Sequence, residues 1–112
     1  MLLPNVEHAF IDIRKLADYS LDPTHPVGRH KSIVFRSALG LTAANADTLR
    51  EIFLQAALIY DSVPGRRDEF GQRYTVDFPV STTHGTAILR SAWIVRHDED
   101  FPRLVTCLVL SD

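Results

Sequence analysis

Lys15, Tyr19, His25, Arg29, His30 and Lys31 fall within 17 residues of one another, with only Asp18 and Asp22 as acids among them. Histidine trades protons near neutral pH, and lysine and arginine hold anions, phosphate above all. Together they suit metal-free phosphodiester chemistry. A histidine removes the proton of a ribose 2′-hydroxyl, and a cation steadies the charge developing on the phosphate. A second polar group protonates the leaving 5′-oxygen. RNA supplies its own nucleophile, so a small domain suffices.

Farther along the chain, Arg90 and Thr106 are the polar partners to expect from the second half, with Ser91 or Arg73 as alternatives. Arg90 stands on a strand face otherwise made largely of Ile88, Ala92 and Ile94, and Thr106 is the one hydroxyl inside Leu104–Leu110. Each residue also has a plain reading. Arg90 can pair with Asp77 across strands, and Thr106 can satisfy its hydroxyl on the backbone. His25–Pro26 can be a rigid turn whose imidazole caps a backbone group. Lys15 and Tyr19, four residues apart, can be the solvated edge of a helix. His30 at a helix start is kept neutral and so available as a base, while His8, His84 and His97 read as surface residues.

The elements that must position these groups follow from periodicity. Ile13, Leu16, Ala17 and Leu21 form one helical stripe that should stop before Asp22–Pro23. After a turn-rich segment, a second helix runs from about Arg29 to Leu39, capped by Gly40. Lys31 shares the face of Val34 and Phe35, so it should enter a cleft or snorkel past one. A third helix spans about Ala44 to Tyr60, with Thr42 or Asn45 as its cap. Asp61–Gly71 reads as a charged loop. Gln72–Phe78 and Thr86–Arg96 alternate as strands, and Arg103–Leu110 is apolar on both faces, as a central or doubly covered strand would be. The expected fold is a single α+β domain over residues 1–112. Two to three N-terminal helices (residues about 10–60) pack on a three- to four-stranded antiparallel sheet (about 72–110).

Composition narrows the function. The chain has 112 residues and a net charge of −2, which weighs against a dedicated duplex-DNA binder. Its positive charge is local, however: Pro23–Ala46 holds Arg29, Lys31, Arg36 and two histidines with no acid. The single Cys107 rules out an intramolecular disulfide and reads as a buried, inert thiol. No histidine–carboxylate spacing suits a metal, and no phosphate-binding glycine loop or serine-nucleophile elbow occurs. No metal and no cofactor is expected. No apolar run approaches the roughly 20 residues that cross a bilayer, and the N-terminus has no signal-peptide pattern. A cytoplasmic location without membrane partners is the expectation.

The run Lys15–Leu16, Tyr19, Leu21, His25–Pro26, Gly28, Lys31, Phe35 and Leu39–Gly40 resembles an uncharacterised bacterial family, a domain of unknown function. Its members read K-L-x-x-Y-x-L-x3-H-P-x-G-x2-K-x3-F-x3-L-G. Asp68–Glu69–Phe70–Gly71, Arg90–Val95 and Pro102–Thr106 are compatible with it. The resemblance implies a protein that occurs alone or as the C-terminal domain of a bacterial polymorphic toxin. Its order of elements is similar to the RelE/barnase/EndoU/colicin group of metal-independent ribonucleases. In that group His25, Lys31, Arg90 and Thr106 match the placing of the active groups.

Two functions are therefore expected to compete. The first is a ribonuclease-like toxin domain acting by 2′-hydroxyl attack. His25 or His30 is then the base, Lys31 and Arg90 hold the phosphate, and Thr106 positions it. Lys15, Tyr19, Arg29 and His30 bind the strand. Its partners would be RNA and a small, acidic antitoxin or immunity protein. The second is a non-catalytic interaction module that binds a protein or an anionic ligand in the same cleft.

Overall fold

Alternating residues in the second half of the chain build the frame on which everything else rests. The computed structural model describes residues 1–111. Four antiparallel strands, β1 (Val63–Arg67), β2 (Gly71–Ser81), β3 (Thr86–Arg96) and β4 (Arg103–Ser111), lie side by side in chain order. Two helices precede them, α1 (Arg29–Leu39) and α2 (Ala46–Ile59). The fold is α+β, with the helical segments ahead of the sheet.

One face of the sheet is buried. Val76 and Phe78 from β2, and Ala87, Leu89, Ser91 and Trp93 from β3, lie on it in register, Val76 opposite Ser91 and Phe78 opposite Leu89. Phe35, Leu39, Leu49 and Phe53 of the two helices complete the same apolar cluster, and the Phe53 and Phe78 rings meet edge to face at 5.7 Å. The polar atoms inside it are paired. Trp93 Nε1–H donates to Ser91 Oγ (2.8 Å), and the Ser91 hydroxyl donates to the Val76 carbonyl (3.0 Å).

Several elements differ from the sequence reading. The first helix is replaced by a π-helical turn, Leu16–Ser20, closed by Leu21 N–H donating to the Leu16 carbonyl at 2.8 Å. The wider turn still buries Leu16 and Leu21, so the apolar stripe is real although no long helix forms. Two 3-10 turns, Val6–His8 and Ala43–Asn45, add to the elements that periodicity shows. The second of these joins both candidate caps. Asn45 Oδ1 accepts from the Thr42 backbone N–H (3.0 Å) and from its hydroxyl (3.2 Å).

Asp61–Gly71 is not a loop throughout: within it β1 pairs with β2 through a bulge between Pro64 and Arg67. All five of its residues are exposed, so no alternation betrays it. β2 continues past Phe78 through Pro79. β1 pairs with β2 only between Gln72 and Thr75, so at Pro79 the outer side of β2 has no strand to receive an N–H. β4 is neither central nor doubly covered: it closes the sheet at one edge. Part of that edge is occupied by Phe10, whose N–H donates to the Pro102 carbonyl (2.9 Å) and whose carbonyl accepts from Leu104 (3.0 Å).

Asp68 ties the β1–β2 hairpin together. Its carboxylate accepts from Arg73 Nε (2.7 Å), Arg66 Nε (2.9 Å) and the Phe70 N–H (2.9 Å). The Arg73 bond, and then the Phe70 bond, hold its pKa far below the usual carboxylate range. A depressed carboxylate lends stability that is complete above its unfolded value, near about 4, and is lost as pH falls towards the folded one. Urea midpoints measured from pH 5 down to pH 2 should fall less steeply in Asp68→Asn than in the wild type. Parallel curves would count against this anchor.

Candidate functional site

The segment before α1 is shaped by three residues of the sequence motif. His25 Nδ1 accepts two backbone hydrogen bonds, from Val27 (3.0 Å) and Gly28 (2.9 Å). Its ring stands edge-on to Tyr19, with centroids 4.7 Å apart. Gly28 lies against the Tyr19 backbone so closely that a Cβ there would sit 2.0 Å from the Tyr19 carbonyl oxygen. This knot joins the π turn to the first turn of α1 and fixes where Lys31 emerges.

Lys31 then reaches the edge of the sheet. Its Nζ donates to Thr106 Oγ1 at 2.7 Å and lies 5.5 Å from the centre of the Tyr19 ring. Thr106 meets it because β4 departs from strict alternation. Leu104 and Cys107, three residues apart, are both buried, and the β3–β4 register shifts between Ala92 and Trp93. The extra residue re-aims Thr106 at the strand edge, as β-bulges do. Because its oxygen accepts from the ammonium, the Thr106 O–H is left to donate outward.

Lys15 occupies the same region. Its Nζ donates to the Val105 carbonyl (3.1 Å), filling a hydrogen-bonding position that the open edge of β4 leaves vacant. Burial, and then the nearby Arg96, lower its pKa. Arg14, Lys15, Tyr19, Val105 and Thr106 line a cleft of about 370 Å³. Arg14 is already engaged by Asp12 (2.6 Å), whose pKa its hydrogen bonds pull down to about 2. Among the described residues, neither Lys15 nor Lys31 has a carboxylate partner within salt-bridge distance. One lysine lining this cleft and a second bonded to its Thr106, neither with such a partner, are suited to an anion.

Other candidates stand elsewhere. Arg90 lies between Leu89 and Ser91, both buried on the helix side, and so points to the opposite face of the sheet. There it grips Asp77 by two bonds of 2.8 Å, the cross-strand pairing that the register allows. Arg90 does not join Lys31 and Thr106. Arg73 is held by Asp68, and Ser91 is inside the core. Arg29 and His30 are exposed, and Arg29 is about 200° around the helix from Lys31.

His25 is beside Tyr19, but its chemistry is restricted. With Nδ1 accepting from the backbone, the neutral ring carries its proton on Nε2, which leaves a donor and no lone pair for a 2′-hydroxyl. Among the described residues there is no group of three or more metal-ligating side chains and no helix long and apolar enough to cross a membrane.

Cys107, behind Thr106, donates to Ser20 Oγ (3.6 Å) and is buried. Burial pushes its pKa up to about 11. The native protein should therefore leave a thiol-reactive disulfide reagent unconsumed at pH 8 and titrate one thiol only on unfolding. Fast reaction in the native state would contradict this burial.

The sequence model of a domain of unknown function (DUF6883) matches residues 2–111. No curated protein matches the chain.

Proposed function

The chain belongs to the DUF6883 family, and from that premise we propose that its Lys15–Lys31 cleft holds a phosphodiester of RNA and cleaves it without metal by 2′-hydroxyl attack. The observation that carries this reading is that Lys15 lines a cleft with Tyr19 and Thr106, that Lys31 donates to that same Thr106, and that among the described residues neither lysine has a carboxylate within salt-bridge distance. Lys31 and the Thr106 hydroxyl hold the non-bridging phosphate oxygens. Lys15, whose pKa is lowered by burial and by Arg96, takes the base's part that the His25 tautomer leaves open. His25 Nε2–H and the Tyr19 hydroxyl are the donors for the phosphate and the leaving oxygen. A small acidic protein covering the lysines would restrain such an enzyme as an antitoxin does.

Incubation of purified protein with single-stranded RNA in excess chelator tests the reading. The expected products end in 2′,3′-cyclic phosphate. Lys15→Arg keeps the positive charge but not a titratable amine, so it should lose cleavage while retaining RNA binding. Wild-type cleavage should rise with pH until the Lys15 amine is fully neutral. RNA left intact across that range would remove the ribonuclease reading.

A second reading is favoured by one observation. The two backbone bonds to His25 Nδ1 give that histidine a structural task, so the cleft can serve as a non-catalytic anion site. Binding of RNA without cleavage, weakened by Lys31→Met, is its signature.

A further inference from the structure

We propose that a second cleft on the β4 edge, between Phe10, Phe101 and Arg103, is a stacking subsite for one unpaired base of the RNA strand. This rests on the reading that the neighbouring lysine cleft holds that strand's phosphate. The subsite cleft measures about 510 Å³ and is lined by His8, Phe10, Asp100, Phe101 and Arg103. That volume is within the range of small-molecule sites.

The chemistry of the lining selects a flat, uncharged group. Phe10 is 43% exposed, yet its backbone is clamped to β4 on both sides by the Pro102 and Leu104 hydrogen bonds. A large apolar ring held rigidly at the surface is a ready platform. The Arg103 guanidinium carbon lies 5.0 Å from the centre of the Phe10 ring and 5.4 Å from that of Phe101. Arg103 is not free to seize a phosphate, because Glu99 holds it through bonds of 2.7 and 3.3 Å. With that charge answered by Glu99 and the Asp100 carboxylate in the lining beside His8, the cleft favours a neutral ring over an anion. Stacking on aromatic and guanidinium planes is the usual way proteins hold unpaired bases.

Position supports the assignment. Arg103 and Val105 are two residues apart along β4, about 7 Å. The Lys15 ammonium sits on the Val105 carbonyl. The backbone from Phe10 to Lys15 runs beside both clefts, so one strand lying along the edge meets rings at one end and ammonium groups at the other. Asn5 Nδ2, donating to the Asp100 carbonyl, steadies the loop that carries Phe101.

Amide chemical shifts of the full chain should be followed in separate titrations with uridine, adenosine and inorganic phosphate. The nucleosides are expected to move Phe10 and Phe101, and phosphate to move Lys31 and Thr106. In parallel, fluorescence anisotropy should use a labelled hexanucleotide whose 2′-hydroxyls are methylated to prevent cleavage. Phe10→Leu and Phe101→Leu, which keep apolar bulk, should each weaken its binding about tenfold and leave the inorganic-phosphate shifts unchanged. If the nucleosides move neither ring, or the leucine variants bind the hexanucleotide as the wild type does, the subsite is wrong, whether or not phosphate still moves Lys31. If phosphate moves nothing at Lys31 and Thr106, the phosphate reading fails, and the proposal that rests on it falls too, even where nucleosides move the rings.

Discussion

Lys31→Met is expected to lower RNA cleavage by about 100- to 1,000-fold, the range seen when one preorganised group facing developing charge is removed. The fold should survive. Lys31 is partly exposed, and its bond to Thr106 joins two partly exposed groups, so no buried donor or acceptor is stranded by its loss. The stability at stake is a cation–π contact to Tyr19 worth about 0.5–1 kcal/mol and the hydrogen bond to Thr106, worth about 0.5–1.5 kcal/mol. Methionine keeps the apolar stem against the helix, so the charge is what changes. Activity and thermal unfolding should be measured on the same preparation. Cleavage within a few-fold of wild type, on a protein that melts normally, would remove Lys31 from the chemistry. Loss of cleavage together with a melting point lowered by more than about 20 °C, the upper end of what about 2.5 kcal/mol shifts a domain of this size, would mean that the lysine's main task is holding α1 to β4.

Much of the frame was legible in the sequence because it rests on simple periodicities. The limits of α1 and of β3 follow from apolar spacing and from Gly40, whose positive φ of 69° closes the helix. The cross-strand pairing of Arg90 with Asp77 was equally open to view as that residue's plain reading. What stayed hidden depends on departures from periodicity. The π turn at Leu16–Ser20 shows the same stripe as a longer helix, and β1 shows no stripe because both its faces meet solvent. The bulge that turns Thr106 towards Lys31 leaves no trace in residue types. Nor does the empty hydrogen-bonding position on β4 that draws in Lys15. The motif was visible as a cluster of chemistry-bearing residues, but several of its members prove to have architectural tasks. His25 is the instructive case: its type suggests a base, and only the two backbone N–H groups on Nδ1 reveal which nitrogen is left.

The same knot accounts for the second large effect, that of Gly28→Ala. Gly28 has φ −69°, which any residue adopts, so conformational freedom does not explain the glycine. Space does. A methyl group there would lie 2.0 Å from the Tyr19 carbonyl oxygen and 2.7 Å from its carbon, both backbone atoms that cannot swing aside as a side chain can. Relief requires the π turn to move away from α1, which separates Tyr19 from the His25 ring and from Lys31. Overpacking typically costs about 1–3 kcal/mol, and this site belongs at the upper end because the obstacle is backbone. For a domain of this size, 3 kcal/mol corresponds to a fall in melting temperature of roughly 10–20 °C. Gly65→Ala is the matched control: its added carbon would meet nothing nearer than 3.6 Å, so it should melt within a few degrees of wild type. The folded fraction of Gly28→Ala at low temperature should also bind RNA poorly, since Lys15 and Tyr19, which move with the turn, are then displaced from Val105 and Lys31. A variant that melts with the control would show that the two segments separate freely, and the motif glycine would need another explanation. A variant that melts early yet binds RNA normally would keep the packing argument and sever the link between this knot and the site.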